Sequence, residues 1–171
     1  MGADSIALDD SQDFCLVASP KVFRSQGLLF GCTGEFRYLQ ALAYDMVIPA
    51  RNAHPKDDER WICSKLVNAI RQSFRRTGAM ELKDGREQAV NFVVGYRGRV
   101  YQIESTFSVL RSTRGYDAVG CGSKYALGAL YANYLFGYPP EERIRLALEA
   151  AEVLNAGVRG PFTILRERGK V

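Results

Sequence analysis

The sequence is poor in histidine and has no closely spaced cysteines, and both shortages exclude classes of site. Its 171 residues contain one histidine, His54, and four cysteines, none of them in a CxxC pair. A structural zinc site needs several closely spaced Cys or His ligands, and a disulfide framework needs paired cysteines in a small secreted chain. We therefore expect no metal, no disulfide and no cofactor, and we interpret His54 as a loop residue.

Long apolar runs and dense basic stripes are missing as well. No run reaches the roughly 18 residues that cross a bilayer, and the N-terminus MGADSIALDD has no basic and apolar signal region. The net charge is +4, and the basic residues are scattered along the chain. These absences argue against membrane and nucleic-acid partners. We expect a cytoplasmic protein with reduced cysteines.

What the sequence does have is the composition of a soluble domain. Hydrophobic residues make up 47% of the chain and charged residues 25%, which is typical of a globular core with a solvated surface. No internal repeat, low-complexity tract or Pro/Ser-rich linker divides it. We predict a single domain over residues 1–171.

Hydrophobic periodicity predicts strands and helices that follow one another in groups. SIAL and FCLV predict a hairpin over about residues 5–17, and a buried strand follows at 28–30. Helices are predicted over 35–44 and 57–76, then a hairpin in which AVNFVVGY and VYQIESTFSVL flank the glycine turn 97–99. A third helix follows the GCGS turn, a fourth covers 141–155, and PFTIL is the last strand. No element is predicted in the polar stretch 77–88.

Helices that arrive in two pairs, each beside a strand group, fit two sheets packed face to face with a helical layer outside each. This arrangement is an α+β, four-layer αββα sandwich. A three-layer α/β sandwich explains the same pattern almost as well.

Three glycine-marked turns are the first candidates for chemistry. They are GADS at 2–5, GCTG at 31–34 and GCGS at 120–123, and each lies at a predicted strand end. Glycine lets the backbone approach another group closely, and free N–H groups at a helix start can stabilise an oxyanion. Taken singly, each is explained equally well as a plain tight turn.

Lys21 and Asp4 are the second candidate feature. Lys21, in SPKVF, lies between the predicted hairpin and the buried strand, and Asp4 lies one strand earlier. If the hairpin pairs tightly, the two residues meet, and an Asp–Lys pair beside a cleft could hold a charge used in acid–base chemistry. The alternative is a solvated surface lysine.

Taken in order, GADS, PKVF, LLFGCTG and YDAVGCGSKYALGALYA resemble segments of proteasome β-subunits and of the bacterial HslV protease, within the N-terminal nucleophile (Ntn) hydrolase superfamily. The resemblance implies the αββα fold and threonine-type peptide-bond (amide) hydrolysis. In that family the nucleophile is the hydroxyl of an N-terminal threonine, and its free α-amino group, with a pKa near roughly 8, serves as the general base.

The resemblance also implies roles for residues of this chain. Lys21 would lie beside the nucleophile and lower its pKa, Asp4 would orient Lys21, and the backbone N–H of Gly31 would form the oxyanion hole.

The turn Cys121, Gly122 and Ser123 would pack against the nucleophile's amino group, with Cys121 at the family's serine position. Near the C-terminus, Asn155 would take an aspartate position by hydrogen bonding, whereas Val158 cannot replace a serine hydroxyl.

The chain departs from the family at its start, because removal of Met1 leaves Gly2, which has no side chain to attack a carbonyl. Two functions follow. One is a threonine-type peptidase whose longer native start supplies the nucleophile, and the other is an inactive, self-assembling subunit of the same fold. A third interpretation, a small-molecule or nucleotide-binding α/β domain, rests only on glycine turns, since no GxxxxGK[ST] occurs.

Both leading hypotheses imply partners. Relatives form homo-oligomeric rings or stacked rings, so the resemblance implies self-association, with a peptide or protein substrate and an ATP-dependent unfoldase for the active form. The candidate contact surfaces are the outer faces of the first two predicted helices and a helix rich in tyrosine: Tyr125, Tyr131, Tyr134 and Tyr138. The alternative is that these rings complete the core with their hydroxyls in water.

Overall fold

A computed structural model describes the chain over residues 1–8, 14–51 and 55–167. His54 and the acidic run 9–13 lie outside these ranges, so the interpretation of His54 as a loop residue stays a prediction. Within the ranges, no helix combines the length and the apolar character that a membrane span requires.

Strands and helices follow one another in the predicted groups. The strands are β1 Gly2–Ala3, β2 Ile6–Leu8, β3 Phe14–Leu16, β4 Val22–Ser25, β5 Leu28–Cys32, β6 Glu81–Lys83, β7 Arg86–Gln88, β8 Phe92–Tyr96, β9 Arg99–Ile103, β10 Val109–Leu110 and β11 Thr163–Ile164. The helices are α1 Phe36–Gln40, α2 Asp58–Trp61, α3 Val67–Thr77, α4 Ser123–Leu135 and α5 Pro140–Leu154. A π-helical turn, Ala41–Asp45, continues α1, and a second, Ile62–Leu66, joins α2 to α3.

Five antiparallel strands form the main sheet in the order β10, β9, β8, β5, β4. Two of its hairpins are closed by residue pairs with positive φ, Gln26–Gly27 and Arg97–Gly98. That backbone is typical of type I′ turns, which match the twist of paired strands and favour glycine in second place. β5 and β8 are buried along their whole length, because the sheet is covered on both faces.

Helices α1 to α3 cover one face of the main sheet. Phe74 of α3 contacts Tyr38 and Phe92, with ring centroids 5.2 and 6.3 Å away. Trp61 of α2 lies 5.1 Å from the ring of Tyr96. Edge-to-face and tilted aromatic pairs of this kind join the helical layer to the sheet, and they form part of the larger hydrophobic core.

The opposite face of the main sheet meets a smaller sheet. β1 pairs with β11, with Gly2 opposite Ile164, and the Met1 side chain lies against Gly31 of β5. On its far side β1 meets α5, where Ile144 leaves no room for a Cβ at Gly2. Helix α4 packs along α5 around a second core. The layers are helix, sheet, sheet, helix, so the predicted αββα sandwich is confirmed and the three-layer alternative is not.

Some predicted boundaries were wrong. The strand expected to end before GCTG includes Gly31 and Cys32, because β5 pairs with β4 on one side and with β8 on the other. The stretch VYQIESTFSVL divides into β9 and β10 around a turn closed by the Phe107 N–H and the Glu104 carbonyl. The polar stretch 77–88 contains the hairpin β6–β7, which Glu87 joins to Arg71 of α3.

Candidate functional site

A cavity of about 1060 Å³ lies between the two sheets. Its wall includes residues from all three predicted glycine turns, at 2–4, 31–34 and 120–123. Asp4 and Lys21 line the same cavity. Features that are spread over more than a hundred residues of sequence therefore meet around one space.

Lys21 and Asp4 form an ion pair in the cavity wall. Lys21 Nζ donates a hydrogen bond to Asp4 Oδ2 over 2.8 Å, and the side chains are only 18% and 15% exposed. The same Oδ2 accepts the backbone N–H of Ile6 over 3.1 Å. Asp4 thus fixes the position of the ammonium, and no other described residue accepts a hydrogen bond from it.

The hairpin β2–β3 brings this pair together. Val17 donates its N–H to the carbonyl of Ser5, so the chain that leaves Asp4 returns close to it before reaching Lys21. The Ser5 hydroxyl donates to the carbonyl of Pro161 over 2.5 Å. The start of the hairpin is therefore joined to the C-terminal part of the chain as well.

Gly31 faces the cavity from within β5. The neighbouring Cys32 donates its N–H to the Lys21 carbonyl on the β4 side over 3.0 Å. Because successive residues of an antiparallel strand alternate in direction, the N–H of Gly31 points toward its partner Val93 in β8. Two residues on, the N–H of Thr33 points the same way, toward Asn91 beside β8. The N–H of Gly34, which also lines the cavity, has no acceptor among the described residues.

The turn at 120–123 packs against the end of β5 and begins α4. Gly120 has a φ of +100°, and a Cβ there would lie 3.2 Å from Thr33 Cγ2. Gly122 is enclosed more tightly, because a Cβ there would lie 2.6 Å from Val158 Cγ2 and 3.1 Å from Ala151 Cβ. The methyl groups of Val158 thus occupy the space beside the turn.

Asn155 joins this turn to the end of α5. Its Nδ2 donates to the carbonyl of Cys121 over 3.2 Å, and its Oδ1 accepts the N–H of Gly157 over 2.8 Å. The Cys121 thiol is exposed and donates to the Gly157 carbonyl over 3.5 Å. Ser123 is the first residue of α4, and its N–H donates to the carbonyl of Gly120.

Met1 extends the β1–β11 ladder. Its α-amino group donates to the carbonyl of Leu165 over 2.7 Å, and the Leu165 N–H donates back to the Met1 carbonyl over 2.7 Å. Burial, and to a smaller extent the charge of Arg24, lower the pKa of this amino group from its usual value of 8.0. The group is thus held by Leu165, whereas Asp4, which pairs with Lys21, lies three residues further along the chain.

Sequence analysis missed the charged residues of the cavity wall other than Asp4 and Lys21, which are Arg99, Asp117, Arg166, Glu167 and, on α5, Glu141 and Arg143. In the sequence, Arg143 lies two residues before Arg145 in a charged part of the predicted helix, and such a pattern is typical of a solvated helix face. The only available signal was its position beside Ile144, which belongs to the predicted apolar face of that helix.

We compared the chain with known proteins by sequence and by structure. No protein-family model matches the chain, and no curated protein matches it in sequence. Solved structures do match the fold of the chain. BPH from Thiobacillus denitrificans, in complex with epoxomicin, has a TM-score of 0.75 and 20% identity over 95% of this chain and 88% of its own. Eukaryotic HslV from Trypanosoma brucei has a TM-score of 0.63 and 16% identity over 95% and 88%.

Anbu, the ancestral beta-subunit, from Yersinia bercovieri has a TM-score of 0.59 and 15% identity over 94% of this chain and 73% of its own. All three are proteasome-like proteins. This chain has the Ntn-hydrolase fold. The resemblance inferred from four short motifs is therefore confirmed at the level of the fold. In this Ntn fold, the predicted site residues meet at the cavity between the sheets, except Asn155, which does not line it and contacts the turn at 120–123 through the Cys121 carbonyl.

Proposed function

We propose that the chain is a proteasome-like Ntn-fold hydrolase that cleaves peptide (amide) bonds by a threonine-type mechanism when a longer native start supplies the N-terminal nucleophile. The observation that supports this most directly is the Lys21–Asp4 ion pair in the cavity wall. Taking two charges out of water is costly, and a purely structural cavity has no need of an ammonium that its own chain only partly satisfies.

Each residue has a role in this proposal. The nucleophile's hydroxyl attacks the scissile carbonyl carbon while its own α-amino group accepts the proton. The α-amino group passes this proton to the leaving amine as the C–N bond breaks, and water then hydrolyses the resulting ester to release the acid and restore the hydroxyl. The Lys21 ammonium lowers the pKa of the hydroxyl, and Asp4 keeps the ammonium in place. We assign the oxyanion to the N–H of Gly34 in place of Gly31, because the N–H of Gly31 points along the sheet toward Val93.

The turn at 120–123 completes the proposed site. Cys121, Gly122 and Ser123 would contact the nucleophile's amino group at the start of α4, where backbone N–H groups are directed outward. Asn155 holds the turn through the Cys121 carbonyl. A peptide or protein is the proposed substrate, and an ATP-dependent unfoldase is the proposed partner for folded substrates.

A second candidate is a catalytically inactive, self-assembling subunit. Two contacts favour it: Val158 fills the space beside Gly122, and Met1 lies against Gly31. For either function we propose a homo-oligomer, because α4 and the turn after it expose a set of large apolar side chains: Tyr125, Tyr131, Tyr134, Leu135, Phe136 and Tyr138. Exposed apolar patches of this kind are typical of protein interfaces.

The deciding experiment is the intact mass and N-terminal sequence of the protein expressed from its native locus with its own upstream DNA. A chain that begins with Thr, Ser or Cys should hydrolyse fluorogenic peptides and bind epoxomicin, the ligand of the BPH structure. Lys21→Ala should abolish turnover, whereas Lys124→Ala, an exposed lysine beside the same turn, should not. A chain that begins at Met1 or Gly2 and has no turnover contradicts the peptidase and leaves the inactive subunit.

A further inference from the structure

Arg143 lies in the cavity wall, and its guanidinium contacts two tyrosine rings. Its guanidinium carbon is 5.4 Å from the centroid of Tyr116 and 5.0 Å from that of Tyr134, and the two ring centroids are 6.3 Å apart. A guanidinium that stacks on aromatic faces keeps its planar edge available for hydrogen bonds. The rings therefore hold the cation in position without neutralising it.

The charge of Arg143 has no carboxylate partner within salt-bridge distance among the described residues. The other charged side chains near it on α5 are paired: Arg145 with Glu142 and Glu149, and Glu141 with Arg166. Arg143 differs from Arg145 in this respect, although both belong to the same helix. The cation is thus available to an anion that enters the cavity.

Two buried polar atoms near the stack are also unsatisfied. The Nε of Arg143 and the hydroxyl of Tyr116 are both buried, and neither has a hydrogen-bond partner in the part of the chain that the structure describes. Buried polar groups in native proteins are nearly always paired, and exceptions often mark a place completed by another molecule. Both residues line the cavity.

The fold places this cation in the same cavity as the ion pair. Ile144, the residue after Arg143, packs directly on Gly2, and Gly2 lies two residues before Asp4. A strand advances about 3.3 Å per residue, so a short extended peptide in the cavity could reach both Arg143 and Lys21.

We propose that Arg143 is a carboxylate-binding group and that peptides entering the cavity are selected for an acidic group. This inference rests on the proposed function for its ligand, a peptide, but not on turnover. A planar guanidinium edge matches the two oxygens of a carboxylate. The carboxylate belongs to an Asp or Glu side chain or to the peptide's C-terminus, and the experiment separates these sources.

The test measures binding to the full chain by fluorescence anisotropy with three labelled apolar hexapeptides. One carries a Glu and a C-terminal amide, one replaces that Glu by Gln, and one has Gln with a free C-terminal carboxylate. We expect one of the two carboxylate peptides to bind about tenfold more tightly than the uncharged peptide, a gain of about 1.4 kcal/mol. A stronger Glu peptide indicates side-chain selection, and a stronger free terminus indicates selection of the chain end.

Variants assign the preference to Arg143. Arg143→Gln should abolish it, Arg143→Lys should retain part of it, and Tyr134→Leu should weaken it by removing one wall of the stack while the charge remains. Arg145→Gln is the matched control and should leave the preference unchanged. Thermal melting of each variant shows that it is folded, and Arg143→Lys and Tyr134→Leu carry the test if Arg143→Gln does not fold.

Equal binding of the three peptides, no binding of any of them, or a preference that survives in Arg143→Gln would overturn the proposal. Its failure is distinguishable from failure of the proposed function. If the carboxylate preference depends on Arg143 and survives in Lys21→Ala, the subsite stands even when no peptide is hydrolysed. If hydrolysis occurs without a carboxylate preference, the peptidase stands and the subsite does not.

Discussion

The Nζ of Lys21 lies 2.8 Å from the Oδ2 of Asp4, and the same oxygen accepts the N–H of Ile6. Asp4 therefore supports two groups, whereas Lys21 supports one. We expect Asp4→Ala to lower the free energy of unfolding by about 1–3 kcal/mol, since it leaves the half-buried ammonium and a backbone N–H unpaired. Lys21→Met should lower the free energy of unfolding by less, because Asp4 still accepts the N–H of Ile6.

Urea unfolding measures both changes, and Lys124→Met is the control because Lys124 is exposed. An Asp4→Ala variant within about 0.5 kcal/mol of the wild type would place the pair among ordinary surface ion pairs.

Gly122 tests how tightly the turn before α4 is packed. A Cβ there would lie 2.6 Å from Val158 Cγ2, so Gly122→Ala should destabilise the protein by about 1–3 kcal/mol through overpacking. Adding Val158→Ala should recover part of that loss in a double-mutant cycle. Gly128→Ala, inside α4 with open space around it, should be neutral or stabilising by up to about 1 kcal/mol. Equal effects of the two glycine substitutions would contradict this packing.

Glu87 makes a pH-dependent contribution to stability. Hydrogen bonds from Arg75 and then from Arg71 lower the pKa of its carboxyl from 4.5 to about 2. Because the folded-state pKa is depressed, the stabilisation is complete above the unfolded value and is lost as the pH falls through that of the folded state. The stability difference between the wild type and Glu87→Gln should therefore be constant near neutral pH, shrink below about 4.5 and vanish near 2.

Urea midpoints over a pH series measure this difference. In an Arg71→Met/Arg75→Met background, Glu87→Gln should no longer change the pH profile in this region. A difference that stayed constant down to pH 2 would mean that the hairpin β6–β7 is not held by these pairs.

The exposed end of α4 tests self-association. Leu135 and Phe136 are 66% and 76% exposed, and we expect the double variant Leu135→Glu/Phe136→Glu to sediment as a smaller species than the wild type in analytical ultracentrifugation. Leu82→Glu, at an equally exposed leucine on the hairpin β6–β7, should sediment like the wild type. A wild type that is monomeric at all concentrations would rule out the proposed homo-oligomer.

Local patterns were enough to predict the main elements of the fold. The apolar spacing of α3 and the glycine turn between β8 and β9 depend on neighbouring residues, so one sequence reveals them. The hairpin β6–β7 has the same type of signal, Asp84–Gly85, with positive φ at both residues. It was missed because its strands are polar, and they are held by arginines of α3 that lie elsewhere in the sequence.

Long-range pairing was the part that sequence could not predict. Each partner in the β1–β11 ladder has two residues, too few for a periodic signal, and they come from opposite ends of the chain. The Asp4–Lys21 pair could be anticipated because only one hairpin separates the two residues. The position of Arg143 beside Tyr116 could not, because no local pattern joins the two. That stack depends on the packing of α5 against a loop.

The ladder between Met1 and Leu165 also sets a register for the chain that follows. The carbonyl of Arg166 accepts a hydrogen bond from the Arg24 side chain, and the Arg166 side chain pairs with Glu141. The Glu167 carboxylate accepts the backbone N–H groups of Arg97 and Gly98 over 2.7 and 2.5 Å. Because side chains alternate along an extended strand, deleting one residue between 160 and 165 would turn every later side chain to the opposite face. The contacts to β4, α5 and the β8–β9 turn would then be lost together. The pairing of Met1 with Leu165 therefore determines the position of the whole C-terminal segment that lines the cavity.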